Sequence, residues 1–408
     1  MTSPHEQPHA ANLHRSQARP FSAYALTDCG NAERLIDEHG DSIRFCRVTR
    51  RWFVWSGSSW LADTGAVVQI AKKTVRSMHQ ERKQILEHLE QVPEDWDVLR
   101  RHAEALARWE MRSEGAGQIS AMLRMAESDP RVSLGPQDFD SNPWLLNLPN
   151  GSLELDSGHF REHRSEELQT KLAGASYYQQ APCHRWQQFL DEAFDPHPDV
   201  IPFLQKAIGY SLTGETREEC IFVLAGGGRN GKSTLLGVLH ALFRDYAGVA
   251  EMDTFLASSG TRLREDIADM RGRRLISSQE PAIKGTFAEA TLKWVSGGDR
   301  LRARRLYEHA QEFMPSHKLW LAVNSLPYLR ADDSASWSRM RVIPFDVSFA
   351  TRTDRHLKAE LNRELSGILI WALEGCQLWR QQGLGSADSV EFATSRWRDH
   401  CSGRSAIV

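Results

Sequence analysis

The chain has 408 residues, 41% hydrophobic and 25% charged, with a formal net charge of −3. These values describe a soluble globular protein of two or three domains and exclude a disordered or globally basic chain. No stretch approaches the ~20 apolar residues of a membrane span, and the polar amino terminus has no signal-peptide core, so a cytoplasmic location without membrane partners is expected. The six cysteines (Cys29, Cys46, Cys183, Cys220, Cys376, Cys401) include no CxxC pair and read as free thiols.

Residues 1–20 read as a disordered tail. From Ala25 to Asp63, apolar and aromatic runs alternate with period 2, and a Gly-Ser break at Ser56–Ser59 predicts a small hairpin. From Val67 to about Ser128 apolar residues recur at three- and four-residue spacing (Ile85, Leu89, Val92; Leu99, Ala103, Leu106), which predicts charge-rich helices. Turn signals at Asn150-Gly151 and Ser157-Gly158 then separate short strands. Trp186–Gly209 predicts helix, Cys220–Leu224 a strand, and Ser233–Phe243 a helix. No internal repeat is visible. The domain reading is a mostly helical α+β domain at 21–185, an α/β ATPase domain at 186–350, and a short helical tail at 351–408.

Between that strand and helix lies GGGRNGKS, a complete G-x-x-x-x-G-K-S pattern with Gly226, Gly231, Lys232 and Ser233 at its fixed positions. Glycines let backbone N–H groups close on phosphate oxygens, and the following helix adds its positive end. Lys232 would reach the β- and γ-phosphates of ATP and the Ser233 hydroxyl would ligate Mg²⁺. By chance the pattern arises in roughly one chain of this length in a hundred, and its strand–loop–helix setting lowers that further. The cofactors expected are therefore ATP and Mg²⁺.

Hydrolysis needs further groups, and candidates follow in order. Arg274–Gln279 reads as a strand ending at Glu280, which could orient water or hold Mg²⁺; the bland reading is a surface glutamate. Lys318–Val323 is a second strand ending at Asn324, whose amide could hold the attacking water; the alternative is a turn asparagine. In WSRMRVIPF, Arg339 and Arg341 share one face of a strand, either as an arginine finger supplied in trans or as a surface ion pair.

From Arg262 to Arg305 there are eleven Lys/Arg and six Asp/Glu, a local charge of +5. Arg300, Arg302 and Arg304 fall at period 2 and place three guanidiniums on one strand face, with the run at Lys318 as return strand of a long hairpin. DNA phosphate is the natural partner, with Tyr307 or His309 near the tip; pairing with acidic groups elsewhere is the alternative.

The order of these pieces resembles the superfamily 3 helicases, in the phage/plasmid/poxvirus primase–helicase branch. The resemblance rests on GYSLTGETREECIFVLAGGGRNGKSTLL, SSQEP, LKWVSGGDRLRARRLY, LWLAVNSLP and WSRMRVIPF. More weakly it extends to FDSNPWLLNLPNGSLEL, TDCGNAERL and the Trp-rich hairpin, covering about Ala25–Phe349. It implies an AAA+-like motor forming a homo-oligomeric ring, usually a hexamer, on single-stranded DNA, translocating 3′ to 5′ and separating a forked duplex. Gly226, Gly227, Gly228, Arg229, Asn230, Gly231, Lys232, Ser233 and Thr234 would hold the nucleotide, and Ser233 with Glu280 the metal. Lys232, Glu280, Asn324 and a neighbour-supplied Arg339 would be catalytic. Lys293, Arg300, Arg302, Arg304, Arg305 and His309 would meet DNA in the channel.

The chain departs from the pattern at Ser338, where an arginine is frequent, and at Gln279, which precedes a single acid. Relatives often begin with a primase domain, but the residues before Phe139 already read as a helical pre-motor region, so no primase activity is expected here, and a separate primase or origin-binding protein is a candidate partner. Many relatives also continue past the present end, so the tail is expected to be truncated. The resulting expectation is an ATP-dependent DNA helicase of phage, prophage or plasmid replication in the bacterial host cytoplasm. Two alternatives stay open: a P-loop ATPase that remodels or packages DNA, and an inactive prophage relic.

Overall fold

The computed structural model describes residues 24–63, 65–89, 96–257, 265–280, 285–304, 311–330, 332–351 and 354–405; the tail expected at 1–20 lies outside them. Two compact units are formed, the first ending at Asp138 and the second starting at Phe139, with Gly57–Ser59 joining the second.

The first unit begins with α1 (Asp28–His39), a helix not read from the sequence. Thr27 caps it, its hydroxyl accepting from Gly30 N–H, and Leu35 and Ile36 face the core. Then come β1 (Ile43–Cys46), β2 (Arg51–Trp55), β3 (Trp60–Ala62), α2 (Ala66–Leu89), α3 (Trp96–Ser113), α4 (Ala116–Ala126) and β4 (Ser133–Leu134). The expected hairpin is β2–β3, and the sheet order is β3-β2-β1-β4, with β4 parallel to β1. One core joins Leu35, Ile36, Ile43, Val67, Val75, Ile119 and Met122; a second joins Met78, Ile85, Ala103 and Leu106. Burying each such Leu, Ile, Val or Met side chain is worth about 1.5–3 kcal/mol, which turns charge-rich segments into stable helices.

The second unit opens with an antiparallel sheet of β5 (Leu145–Leu148), β6 (Gly151–Glu154) and β7 (Phe160–Arg161). Leu146, Leu148, Leu153 and Leu155 sink into this unit's core, so the unit boundary falls inside the 21–185 span. The following elements are α5 (His184–Ala193), α6 (Val200–Leu212), β8 (Ile221–Ala225), α7 (Lys232–Phe243), β9 (Ala247–Val249), α8 (Glu265–Asp269) and β10 (Leu275–Glu280). Next are α9 (Glu289–Ser296), β11 (Leu301–Ala303), β12 (Gln311–Phe313), β13 (Lys318–Val323), α10 (Ser334–Trp337) and β14 (Met340–Pro344). Three helices complete the unit: α11 (Leu357–Arg363), α12 (Leu365–Gln382) and α13 (Asp388–Ser405).

A five-stranded sheet of order β14-β8-β13-β10-β9 organises this unit, and all of its pairings are parallel. Phe222, Leu224, Trp320 and Ala322 face one core with α5, α6, α7 and α12; Ile221, Val223, Leu319 and Leu321 face the other with α9, the β11–β12 hairpin and α13. Period-2 alternation thus explains why both strands read as continuous apolar runs: each face is covered.

Two expectations are corrected. The C-terminal helices are not a tail, because Ile368, Leu369, Ala372, Cys376 and Trp379 of α12 are fully buried in the core shared with α6. The return strand of the arginine hairpin is Gln311–Phe313, whereas Lys318–Val323 is an interior strand between β8 and β10. A six-residue run with every position buried suits the middle of a parallel sheet and not an exposed hairpin. No helix among the described residues is long and apolar enough to cross a membrane.

Candidate functional site

Ligands of open parallel sheets sit beyond the carboxyl ends of the strands, where successive crossovers diverge. Here that position is the end of β8, flanked by β13 on one side and β14 on the other. The glycine loop leaves β8 there. Gly226 N–H still donates to Val323 O at 3.3 Å, and Phe345 N–H to Ala225 O at 2.8 Å. A Cβ at Gly226 would fall 2.1 Å from Asn230 Nδ2 and 2.3 Å from Phe345 O, so only glycine fits. Gly228 (φ 92°), Arg229 (φ 49°) and Gly231 (φ 95°) are all left-handed. Such a succession turns backbone N–H groups toward one concave side, an anion-binding nest. Helix α7 starts at Lys232, and its first-turn N–H groups have no partner within the helix.

Asn230 braces the loop, its Nδ2 donating to Phe345 O at 2.8 Å, and Phe349 N–H donates to Arg229 O at 2.7 Å. Lys232 is 5% exposed. Its Nζ donates to Gly226 O at 2.6 Å and to Asn230 Oδ1 at 2.9 Å, and burial lowers its pKa. The loop lines a cleft of about 360 Å³ with residues 228–234, Gln279, Ala322 and Asn324. Gln279 and Ala322 are register partners on β10 and β13, as are Glu280 and Val323, so Glu280 ends β10 one residue from the level of Asn324. The Glu280 side chain lies outside the described residues. The cleft's donor set of nest, helix N-terminus, lysine and hydroxyls fits a polyphosphate.

The opposite, amino edge of the same sheet carries the remaining candidates. Ile221 N–H donates to Arg339 O at 2.8 Å, which fixes Arg339 beside the start of β8. Its Nη2 meets Glu219 Oε2 at 2.5 Å and its Nη1 donates to Ala335 O at 2.9 Å. Arg341 donates to Ser338 O at 2.7 Å and Met340 O at 2.9 Å. Lys293 on α9 pairs with Asp333 at 2.9 Å, and Asp333 caps α10, the helix leading to Arg339. Partial burial opposes ionisation of Asp333, yet hydrogen bonds from Ser336 and Lys293 hold its pKa at about 2.

The hairpin belongs to this edge too. Arg271 Nη1, just before β10, donates to Gln311 Oε1 of β12 at 2.7 Å. Leu301 and Ala303 are buried, while Arg300, Arg302 and Arg304 are exposed, so the period-2 stripe exists. Arg305, Tyr307 and His309 lie outside the described residues.

A family model described as D5 N terminal like matches residues 32–195. The protein named "Putative helicase L207/L206" of Acanthamoeba polyphaga mimivirus is 27% identical over 298 residues, 65% of this chain and 30% of that one. The like-named 022R of Frog virus 3 is 29% identical over 155 residues, 36% of this chain and 16% of that one. The chain is thus similar to viral proteins named as helicases, and residues 32–195 to a D5 N terminal like domain.

It spans less than a third of the length of these curated relatives, 30% and 16% respectively. The apo structure of the NrS-1 C terminal region (305-718) superposes with a TM-score of 0.52 at 11% identity, covering 88% of this chain and 70% of that one, a likeness of fold. The fold gathers residues 228–234 and Asn324 at one cleft, with Gln279 as a lining residue the motif reading treated only as a departure. It keeps Arg339, Lys293 and the arginine stripe away from that cleft. Glu219 was missed altogether, since nothing in EEC marks one glutamate as an arginine's partner.

Proposed function

We propose that this protein is an ATP-dependent DNA helicase of replication, working as a ring of identical subunits that share ATP sites at their interfaces. The observation that carries the reading is the division of one parallel sheet: a cleft lined by the glycine loop at its carboxyl edge, exposed arginines at its amino edge. Names of the viral relatives support the helicase class. A phage, prophage or plasmid setting in a bacterial cytoplasm, and a hexameric ring, remain parts of the proposal.

Strand register supports the shared site. Met340 pairs with Ile221 and Pro344 with Ala225, so Arg339 and the glycine loop are separated by the length of β8. Five residues at ~3.3 Å give about 16 Å, more than an arginine side chain spans. Arg339 therefore serves a neighbour's cleft or none.

In the proposed mechanism, bound MgATP supplies the phosphoanhydride whose hydrolysis drives motion. Backbone N–H groups of the glycine loop and of the start of α7 would bind phosphate oxygens, and Lys232 would exchange the carbonyl of Gly226 for phosphate. Ser233, with Glu280 at the end of β10, would hold Mg²⁺. Asn324, on the adjacent strand end, orients the attacking water, and Arg339 of the neighbouring subunit faces the charge that develops. Arg300, Arg302 and Arg304 grip phosphates of a single strand in the channel. Displacement of a labelled strand from forked DNA, with and without ATP, tests the reading. DNA-stimulated hydrolysis without displacement would replace unwinding by remodelling.

A further inference from the structure

We infer that Glu219 is the positioning residue for Arg339, fixing the guanidinium that one subunit offers to its neighbour's cleft. This rests on the shared-site reading of Arg339 above. Glu219 has φ 45°, a left-handed conformation that a non-glycine residue holds only when its surroundings impose it. They do so here from several sides. Glu218 N–H donates to Tyr210 Oη at 3.4 Å, and Glu218 Oε1 accepts from Trp379 Nε1 at 2.7 Å. Lys318 Nζ donates to Glu215 O at 3.1 Å, and Ile221 N–H ties the loop's end to Arg339 O. The backbone that carries the carboxylate is thus held in place, and the long, rotamer-rich arginine is set against it.

Counting donors shows why a carboxylate partner is compatible with an acting arginine. A guanidinium has five N–H groups. Arg339 gives one from Nη2 to Glu219 and one from Nη1 to Ala335 O, while Nε is buried without a partner. One N–H remains on each terminal nitrogen, enough for a two-point contact with phosphate oxygens. With side chains 18% and 48% exposed, neither Arg339 nor Glu219 is sealed away.

The test uses the full-length assembled protein with Glu219→Gln, Glu219→Asp, Arg339→Ala and the Glu219→Gln/Arg339→Ala double variant. Glu219→Gln should lower kcat about 10- to 100-fold, the cost of a misplaced catalytic group, with KM within about threefold. Its affinity for ADP–aluminium fluoride, a mimic of the transferring phosphoryl group, should fall about tenfold while that for a non-hydrolysable triphosphate stays unchanged. Glu219→Asp should recover part of both. The double variant should be no worse than Arg339→Ala, since Glu219 acts only through Arg339. If Arg339→Ala keeps full turnover, the shared-site reading itself fails. If Arg339→Ala is inactive but Glu219→Gln matches the parent, or the double variant shows additive losses, the positioning role alone is overturned.

Discussion

Lys232→Ala separates nucleotide chemistry from folding. Lys232 is buried in the loop, and two neutral acceptors, Gly226 O and Asn230 Oδ1, hold its Nζ. Against phosphate the same ammonium makes charge-assisted bonds worth about 1.5–3 kcal/mol in total, or about 10- to 150-fold in Kd. With ATP at about 100 times the parent's Kd, binding stabilises the parent by about 2.7 kcal/mol; a 100-fold weaker variant gains only about 0.4 kcal/mol. At about 2 °C per kcal/mol for a unit of this size, ATP should raise Tm by about 5 °C in the parent and by about 1 °C in the variant. Without nucleotide the lost hydrogen bonds are offset by removal of a desolvated charge, so the two proteins should melt within a few degrees. Differential scanning fluorimetry with and without MgATP reads both quantities, and a phosphate-release assay should show turnover abolished. A variant that keeps the ATP-induced shift and its turnover would refute the assignment of the loop.

Arg304→Ala should weaken single-stranded DNA binding and flatten the plot of log affinity against log salt by about 0.7, the slope of one phosphate contact; an unchanged slope would take the hairpin off the DNA path. Mixing inactive Arg339→Ala and Lys232→Ala subunits should restore part of the ATPase, because some interfaces then pair an intact loop with an intact arginine; no recovery at any ratio would count against a shared site. Stability should fall on acidification through His317. Burial first, and then Lys318, lower its pKa to about 4, so below pH 6.5 the unfolded chain binds the proton and the folded chain does not. Between pH 6 and 5 this costs up to about 1.4 kcal/mol, which urea unfolding should show in the parent and not in His317→Leu.

The parts of the fold legible in the sequence are those where local pattern and tertiary setting agree. β13 has the bounds read from KLWLAV, and β8, the glycine loop and α7 follow one another as expected, because interior strands are uniformly apolar and the loop's glycines are sterically required. Helix α1 escaped because Asn31 and Arg34, polar in the sequence, are buried in it, bonded to Ser113 and paired with Glu81. The three-residue β12 gave too short a signal, so the stronger run at Lys318 was mistaken for the hairpin's return. Glu219 and Arg339 lie 120 residues apart, and only the β8–β14 pairing makes them neighbours.

The buried cations at the sheet's amino edge follow from the same geometry. Arg274 precedes β10 and Lys318 begins β13, the two strands whose other ends carry Gln279 and lead to Asn324. Arg274 donates to Leu212 O and Leu145 O, and Lys318 to Thr213 O and Glu215 O. Desolvation lowers the pKa of each, so both are costly to bury. What repays that cost is the carboxyl end of α6, whose last carbonyls and negative dipole end would otherwise be buried unpaired. A methionine at position 318 would fill the volume and leave Thr213 O without a donor. These cations therefore fix the loop from Thr213 to Cys220, which holds Glu219, to the strands that line the cleft. A six-residue strand, stiff and about 20 Å long, thus joins Asn324 at the cleft to Lys318, whose hydrogen bonds reach the loop that carries Glu219. Under the proposed mechanism, an axial shift of β13 at Asn324 would be passed through Lys318 to the loop that carries Glu219.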